Sequence, residues 1–236
     1  MNSIISEIRK EIILNADEKI RLSGERYFKE PVKLYGLKSA ISERIAKEWF
    51  EKIKEKPKGE IFELCEGLWK SGYLEEAGIA CIWSYNLRKK YEPADIDIFE
   101  RWIKRYITNW ATCDTLCNHS VGTFIEIYPE KIRYLKSWAK SQNRWMKRAS
   151  AVSLSIPAKK GMFLEDIFEI AGILLTDGDD MVQKGYGWML KAASQAHQNE
   201  VFEFVMNNKK VMPRTSLRYA IEKMPKDMKS MAMAKQ

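Results

Sequence analysis

Three related stretches recur along this chain of 236 residues: Trp110-Ala-Thr-Cys-Asp114, Trp145-Met-Lys-Arg148 and Met181-Val-Gln-Lys-Gly-Tyr-Gly-Trp188. They begin 35 and then 36 residues apart, and a fourth, Glu75-Glu-Ala-Gly78, begins 35 residues before the first. A period of this length is typical of stacked helical hairpins, in which each repeat buries its apolar face against its neighbours. Corresponding helices of such a stack line one surface. We therefore expect a carboxylate, an arginine and two indoles on a shared concave wall.

Helical spacing of apolar residues dominates the rest of the chain. Ile96, Phe99, Trp102, Ile103 and Tyr106 follow the i, i+3, i+4, i+7 pattern of one helix face. No segment alternates in the manner of a strand for more than a few residues. Prolines, which interrupt helix interiors, separate the periodic segments and lie at Pro57, Pro93, Pro129, Pro157 and Pro213.

These patterns predict an all-α fold, an α-solenoid of antiparallel helix-pair repeats. The helix pairs are expected at 38–54/58–71, 74–90/95–107, 110–127/130–140, 145–156/162–175 and 180–196/199–207. An N-terminal helical cap covers 2–29 and a last helix covers 214–223. Residues 1–224 are expected to form a single domain, and residues 225–236 a flexible basic tail.

Charge is unevenly distributed along the sequence. The net charge is +8, yet residues 131–148 hold seven basic side chains and no acidic one. Acidic residues collect further on, at Glu165, Asp166, Glu169, Asp177, Asp179 and Asp180. Segregated charge with interleaved aromatic residues favours a polyanion as partner, and the alternative is a solvated helix face without special function.

The cysteines and the hydropathy limit the remaining possibilities. Cys65, Cys81, Cys113 and Cys117 are expected to be reduced, buried thiols. The Cys113/Cys117/His119 spacing lacks a second ligand pair, so we expect no metal and no cofactor. Apolar runs are too short to span a membrane and no signal peptide is recognisable, which favours a cytoplasmic location. We also expect a monomer, associated with the nucleoid if its partner is DNA.

The recurring stretches also carry a candidate chemistry. Trp110 and Asp114 are one turn apart on one helix face, and each could equally be a structural residue. A carboxylate near a deoxyribose would stabilise the oxocarbenium-like state of N-glycosidic cleavage and position water. Indoles attract cations through the ring face, which suits an alkylated purine base. Such a base leaves as a neutral molecule, so no general acid is required.

Several motifs resemble the AlkD family of bacterial and archaeal DNA alkylation-repair glycosylases. They are Tyr27-Phe-Lys-Glu30, Leu34-Tyr-Gly-Leu37, Trp110-Ala-Thr-Cys-Asp114, Asn143-Arg-Trp-Met-Lys-Arg-Ala149 and Gln183-Lys-Gly-Tyr-Gly-Trp188. They occur in the same order and at the same spacing, from about residue 5 to residue 223. The resemblance implies HEAT-like repeats with a basic concave face for duplex DNA, and removal of N3- and N7-alkylated purines by hydrolysis of the N-glycosidic bond.

The resemblance also implies roles for individual residues. Asp114 matches the catalytic aspartate, Arg148 the arginine required beside it, and Trp110, Trp188 and Tyr27 the aromatic residues near the lesion. Lysines and arginines expected to contact DNA are Lys136, Lys140, Arg144, Lys147, Lys184, Arg214 and Arg218. The family often has Trp-Trp-Asp-x-x-Asp where this chain has Asn109, Trp110 and Ala111, which predicts an altered substrate range or local packing.

Three functions follow from these observations. The first is a monofunctional alkylpurine DNA glycosylase. The second is a helical-repeat module that binds branched or distorted DNA without cleaving it. The third is a protein–protein scaffold, the commonest use of helical solenoids, which does not account for the segregated positive charge.

Overall fold

The computed structural model describes residues 3–234, and within this range the chain forms helices and loops but no strand. The predicted all-α class is confirmed. Two compact units follow one another along the chain, the first ending at Leu116 and the second beginning at Cys117. Among the described helices, none has both the length and the hydropathy needed to cross a membrane.

In the first unit, α5 packs against more than one other helix. In its described part they are α1 (Ser3–Leu14), α2 (Glu18–Glu25), α3 (Ser39–Ile53), α4 (Lys58–Trp69), α5 (Leu74–Asn86), α6 (Asp95–Tyr106) and α7 (Trp110–Thr115). α5 packs against α3, α4 and α7. A short 3₁₀ turn, Arg88–Lys90, follows α5.

The second unit is organised around α13. Its described helices are α8 (Gly122–Ile127), α9 (Ile132–Ala139), α10 (Arg144–Val152), α11 (Ser155–Lys159), α12 (Leu164–Leu174), α13 (Asp180–Ala193), α14 (Gln198–Asn208), α15 (Arg214–Ala220) and α16 (Lys226–Met233). α13 packs against α10, α11, α12 and α15. α16 lies within residues 225–236, the predicted tail, and its Ala232 is buried.

The predicted repeat is visible in contacts between side chains one period apart. Within each unit, polar pairs join successive repeats: Arg101 with Glu66 (35 residues), Lys160 with Glu126 (34), Arg144 with Asp179 (35) and His197 with the Gly161 carbonyl (36). The predicted apolar stripes are buried, since Ile96, Phe99, Trp102 and Ile103 have no exposed surface. These contacts confirm the helical repeat.

Three predicted helices are interrupted. The N-terminal cap divides into α1 and α2, because the Asp17 carboxylate accepts hydrogen bonds from the Lys19 and Ile20 amides and starts a new helix. The predicted helix 110–127 contains a π-helical segment, Leu116–Val121, between α7 and α8. The predicted helix 145–156 ends at Val152. Pro157, predicted to lie between helices, is in the first turn of α11, where an amide hydrogen has no intrahelical acceptor.

Two buried carboxylates fix the segment between α2 and α3. The Glu75 carboxylate accepts hydrogen bonds from the backbone amides of Tyr35, Gly36 and Leu37 at 2.8–3.2 Å. Glu76 pairs with the Arg9 guanidinium at 2.9 Å and accepts from the Tyr35 hydroxyl at 2.8 Å. Gly36 has φ +95°, and a Cβ there would lie 2.3 Å from the Asp17 carbonyl oxygen. The motif Leu34-Tyr-Gly-Leu37 therefore serves to hold this segment on α5.

Small residues let α13 lie close to its neighbours. A Cβ on Gly187 would be 2.7 Å from Tyr219 Cβ and 2.9 Å from the Ser216 carbonyl oxygen, both on α15. Tyr186 between the two glycines of the motif is fully buried, and its hydroxyl donates to the Leu175 carbonyl at 2.9 Å. Burial raises the pKa of Tyr186 to about 12. Much of the motif Gln183–Trp188 thus serves helix packing.

Gly187→Ala is expected to destabilise the protein by about 1–3 kcal/mol, because α15 must move to accept the methyl group. The matched control is Gly172→Ala on α12, where the added Cβ meets nothing within 4 Å. That change should stabilise by about 0.5–1 kcal/mol through lower unfolded-state entropy. Urea unfolding of both variants measures the difference, and equal effects of the two substitutions would contradict the packing described for α13.

Candidate functional site

The first turn of α7 begins at a side-chain cap. The Asn109 side-chain oxygen accepts a hydrogen bond from the Thr112 amide at 3.0 Å, so one amide that α7 cannot bond internally has a partner. This contact gives Asn109 a structural role at the start of α7. Asn109 is buried, and Ala111 beyond it is half-buried. The departures from the family motif therefore lie at the helix start rather than at Trp110 or Asp114.

Trp110 is held on one side and open on the other. Its ring stacks on Phe28, with centroids 5.6 Å apart and an interplanar angle of 24°. Trp110 nevertheless keeps 37% of its surface exposed, which is unusual for a tryptophan in a well-packed unit. The indole is thus positioned by a second aromatic ring while part of it stays available to a ligand.

Asp114 and Tyr27 belong to the same unit as Trp110. Asp114 is half-buried one helical turn after Trp110, on α7, which packs against α5. Tyr27 is 76% exposed and follows α2, where its amide donates to the Gly24 carbonyl. Since Tyr27 precedes Phe28, the segment that supports Trp110 also carries the predicted tyrosine. The first unit accordingly contains a carboxylate, a supported indole and an exposed phenol.

Arg148 and Trp188 belong to the second unit. Arg148 is only 5% exposed, and its guanidinium donates to the Met181 carbonyl at the start of α13. Its Cγ lies 3.2 Å from where a Cβ on Gly185 would be, so the side chain runs along α13. Trp188 is half-buried on the same helix. Trp145, three residues before Arg148, is buried. Arg148 therefore has a structural role in joining α10 to α13, whatever further role it has.

Most of the basic residues predicted to contact DNA are engaged with carboxylates. Lys136 contacts Asp166 at 2.8 Å and Glu169 at 2.5 Å, and these hydrogen bonds raise the pKa of its ammonium group. The other pairs are Arg144–Asp179 at 2.9 Å, Lys147–Asp177 at 2.7 Å and Lys184–Asp180 at 2.8 Å. The separation of charge along the sequence therefore does not hold in space around Lys136, Arg144 and Lys147, because acidic residues 30–35 positions further along the chain pair with them. Lys184 and Asp180 pair within α13.

Three predicted DNA contacts are more open. Lys140, Arg214 and Arg218 are exposed, and among the described residues no carboxylate lies within ion-pair distance of them. The Arg214 guanidinium donates to the Met233 carbonyl at 3.3 Å. These three residues are the ones whose positive charge is most available to a polyanion.

No metal-binding arrangement is present in residues 3–234, where no group of three or more His, Cys, Asp or Glu side chains could hold an ion. Cys65, Cys81, Cys113 and Cys117 are free, buried thiols, as expected. Burial raises the pKa of the Cys65 thiol and lowers the pKa of His119. Both shifts favour the neutral forms of these side chains.

Sequence reasoning missed Phe28, Glu75 and Glu76 as residues that position the candidate site. Phe28 was visible as the second residue of the motif Tyr27-Phe-Lys-Glu30, but its contact with Trp110 spans more than eighty residues of sequence. Glu75 and Glu76 are the first two residues of the stretch Glu75–Gly78, but a sequence does not show whether a carboxylate is buried or solvated. Only the fold shows which side of α5 they occupy.

The helical-repeat fold is shared with a solved structure, and a family model matches the sequence. A solved structure from Enterococcus faecalis, described as a predicted DNA alkylation repair enzyme, is similar with a TM-score of 0.82 at 14% identity, covering 90% of this chain and 98% of that one. A model of the DNA alkylation repair enzyme family matches residues 8–224. The chain belongs to this family, which confirms the resemblance, gives the protein a role in DNA alkylation repair and implies DNA as its substrate. No curated protein matches the sequence.

A double-mutant cycle tests whether Phe28 supports Trp110. Phe28→Leu and Trp110→Leu each keep an apolar side chain, and the coupling between them in unfolding free energy is expected to be about 0.5–1.5 kcal/mol for a stacked pair. The stacked pair Phe168–Phe204, with centroids 4.9 Å apart in the second unit, serves as a positive control. Coupling near zero for Phe28 and Trp110, with coupling in the control pair, would contradict the support.

Proposed function

We propose that the protein is a monofunctional DNA glycosylase that excises cationic N3- or N7-alkylated purines from duplex DNA. The observation that carries this proposal is the joint presentation of Asp114 and the partly exposed Trp110 by α7, in a chain of the DNA alkylation repair enzyme family. A carboxylate one turn from an open indole offers both a negative charge and an aromatic face to a positively charged nucleotide.

The reaction needs little more than these groups. As the bond between C1′ and the purine nitrogen breaks, both bonding electrons go to the base, and the cationic base leaves neutral. Positive charge then develops on the sugar, and the Asp114 carboxylate stabilises it and orients a water towards C1′. The water oxygen bonds to C1′ and passes one proton to the Asp114 carboxylate, which later returns it to solvent, and an abasic site remains. Because the leaving group needs no proton, a neutral His119 is compatible with the scheme.

Aromatic residues fit the recognition of a cationic base. The open part of the Trp110 ring can lie against the alkylated purine, and Phe28 keeps the indole from turning away. Tyr27, exposed beside Phe28, supplies a second aromatic surface in the same unit. The roles that the resemblance implies for Arg148 and Trp188 remain predictions, to be tested by mutagenesis. Because Arg148 is buried, we expect its substitution to affect folding as well.

Asp114→Asn should excise N7-methylguanine about 10²–10³-fold more slowly than the parent, because it removes a preorganised negative charge. The amide keeps the size of the side chain, so folding and duplex binding should persist. Single-turnover release of free base measures the rate. Asp97→Asn on α6 is the control, since it removes an exposed carboxylate from the same unit and should leave the rate unchanged.

Two results would count against this scheme in different ways. If Asp114→Asn released base at the parental rate, Asp114 would be structural and the mechanism wrong. If the parent bound duplex yet released no base from any alkylated substrate, the protein would be a DNA-binding module without glycosylase activity.

Duplex binding should weaken with salt, with a slope in log affinity against log salt concentration of roughly −3. This value assumes about 0.9 counterions released per phosphate contact and contacts from Lys140, Arg214 and Arg218. The sequence alone would add Lys136, Arg144 and Lys147 and give a slope of roughly −5. Fluorescence anisotropy with a labelled duplex measures the slope, and a flat response would contradict DNA binding through these residues.

A further inference from the structure

We propose that Asp166 and Glu169 bind the Lys136 ammonium group where a DNA phosphate would otherwise bind it. These two carboxylates thereby weaken duplex binding by the second unit. The inference rests on the proposed function, because it concerns the affinity of the same protein for DNA. It extends that function by naming residues that oppose binding rather than residues that support it.

The geometry around Lys136 carries the inference. Its ammonium group has three donors, and carboxylates of α12 engage it at 2.8 Å from Asp166 and 2.5 Å from Glu169. The Lys136 side chain keeps 28% of its surface exposed, so the third donor remains within reach of an incoming anion. Two carboxylates around one ammonium leave more negative than positive charge, and a phosphate approaching this trio is repelled.

Lys140 shows what Lys136 would do without these partners. The two lysines are one turn apart at the C-terminal end of α9, so they are neighbours on the helix surface. Lys140 is exposed, and in residues 3–234 no carboxylate is placed to pair with it. Adjacent lysines of one helix thus present opposite local charge to DNA, and the difference comes from α12.

Lys136 is the clearest place to test competition because, among the described residues, Lys136 is the only hydrogen-bond or ion-pair partner of the Asp166 and Glu169 carboxylates. Asp179 and Asp177, which hold Arg144 and Lys147, also accept backbone amides, Asp179 from Met181 and Asp177 from Asp179. Changing them would disturb the start of α13. No backbone hydrogen bond to the Asp166 or Glu169 side chain is present in the described part of the chain.

The test is a double-mutant cycle in which the affinity of each variant for an unmodified duplex is measured by fluorescence anisotropy at several salt concentrations. Asp166→Asn with Glu169→Gln should raise affinity about fivefold at low salt, the effect of removing one half-buried and one exposed ion-pair partner. Lys136→Gln should change affinity less than about twofold in the parent but lower it about fivefold in the Asp166→Asn/Glu169→Gln background. The second unit would then gain a phosphate contact and a steeper salt slope.

A matched control separates local competition from overall charge. Glu203→Gln with Asp227→Asn also removes two exposed carboxylates of the second unit, from α14 and α16. If this control raised affinity as much as Asp166→Asn/Glu169→Gln, or if Lys136→Gln had the same effect in both backgrounds, the inference would be wrong while DNA binding stood. If no variant bound duplex even at low salt, the proposed function would fail together with the inference.

Folding of the variants is checked independently. The thermal unfolding midpoint of each variant should stay within a few degrees of that of the parent. The single Glu169→Gln change removes only one exposed carboxylate and provides a milder form of the same test. Competition predicts that Glu169→Gln alone shows part of the gain in affinity and part of the coupling with Lys136→Gln. No gain from this variant relative to Glu203→Gln alone would overturn the inference.

Discussion

Burial of two adjacent carboxylates, Glu75 and Glu76, is the constraint on which the first unit depends. Taking a carboxylate out of water is costly unless hydrogen bonds replace its hydration, and these two side chains obtain them from the loop before α3 and from α1. Glu75 receives three backbone amides from Tyr35, Gly36 and Leu37, and Glu76 receives the Arg9 guanidinium and the Tyr35 hydroxyl. α1, the loop before α3 and α5 are thereby fixed to one another.

The geometry of the candidate site depends on these two buried carboxylates of α5. α7 packs against α5, so the position of α5 sets where Trp110 and Asp114 lie. Phe28 reaches Trp110 from the segment that leads into the loop held by Glu75. Phe28 therefore comes from a distant part of the sequence to support Trp110 on α7, and it does so because the loop that follows it is held by buried polar groups that must be satisfied.

The sequence predicted the helical repeat because its signals are local and recur: apolar spacing, prolines between helices and stretches about 35 residues apart. It did not predict the new helix start at Asp17 or the π-helical segment 116–121, since each depends on local hydrogen bonding of the backbone that the spacing of apolar residues does not reveal. Candidate residues on α7 could be named from spacing, whereas Phe28 could not, because no local signal links it to Trp110. Charge was misjudged for a similar reason: residues about 33 positions apart, such as Lys136 and Glu169, are neighbours in a repeat fold.

The most direct test of the central claim is the product formed by the unmodified protein. A duplex that contains one N7-methylguanine is incubated with the protein, and both the free base and the strand are analysed by mass spectrometry. The account predicts free 7-methylguanine together with an equal amount of strand that carries an abasic site and no break. An intact modified strand after prolonged incubation, under conditions where the protein is folded and bound to the duplex, would contradict the claim that this family member is a glycosylase.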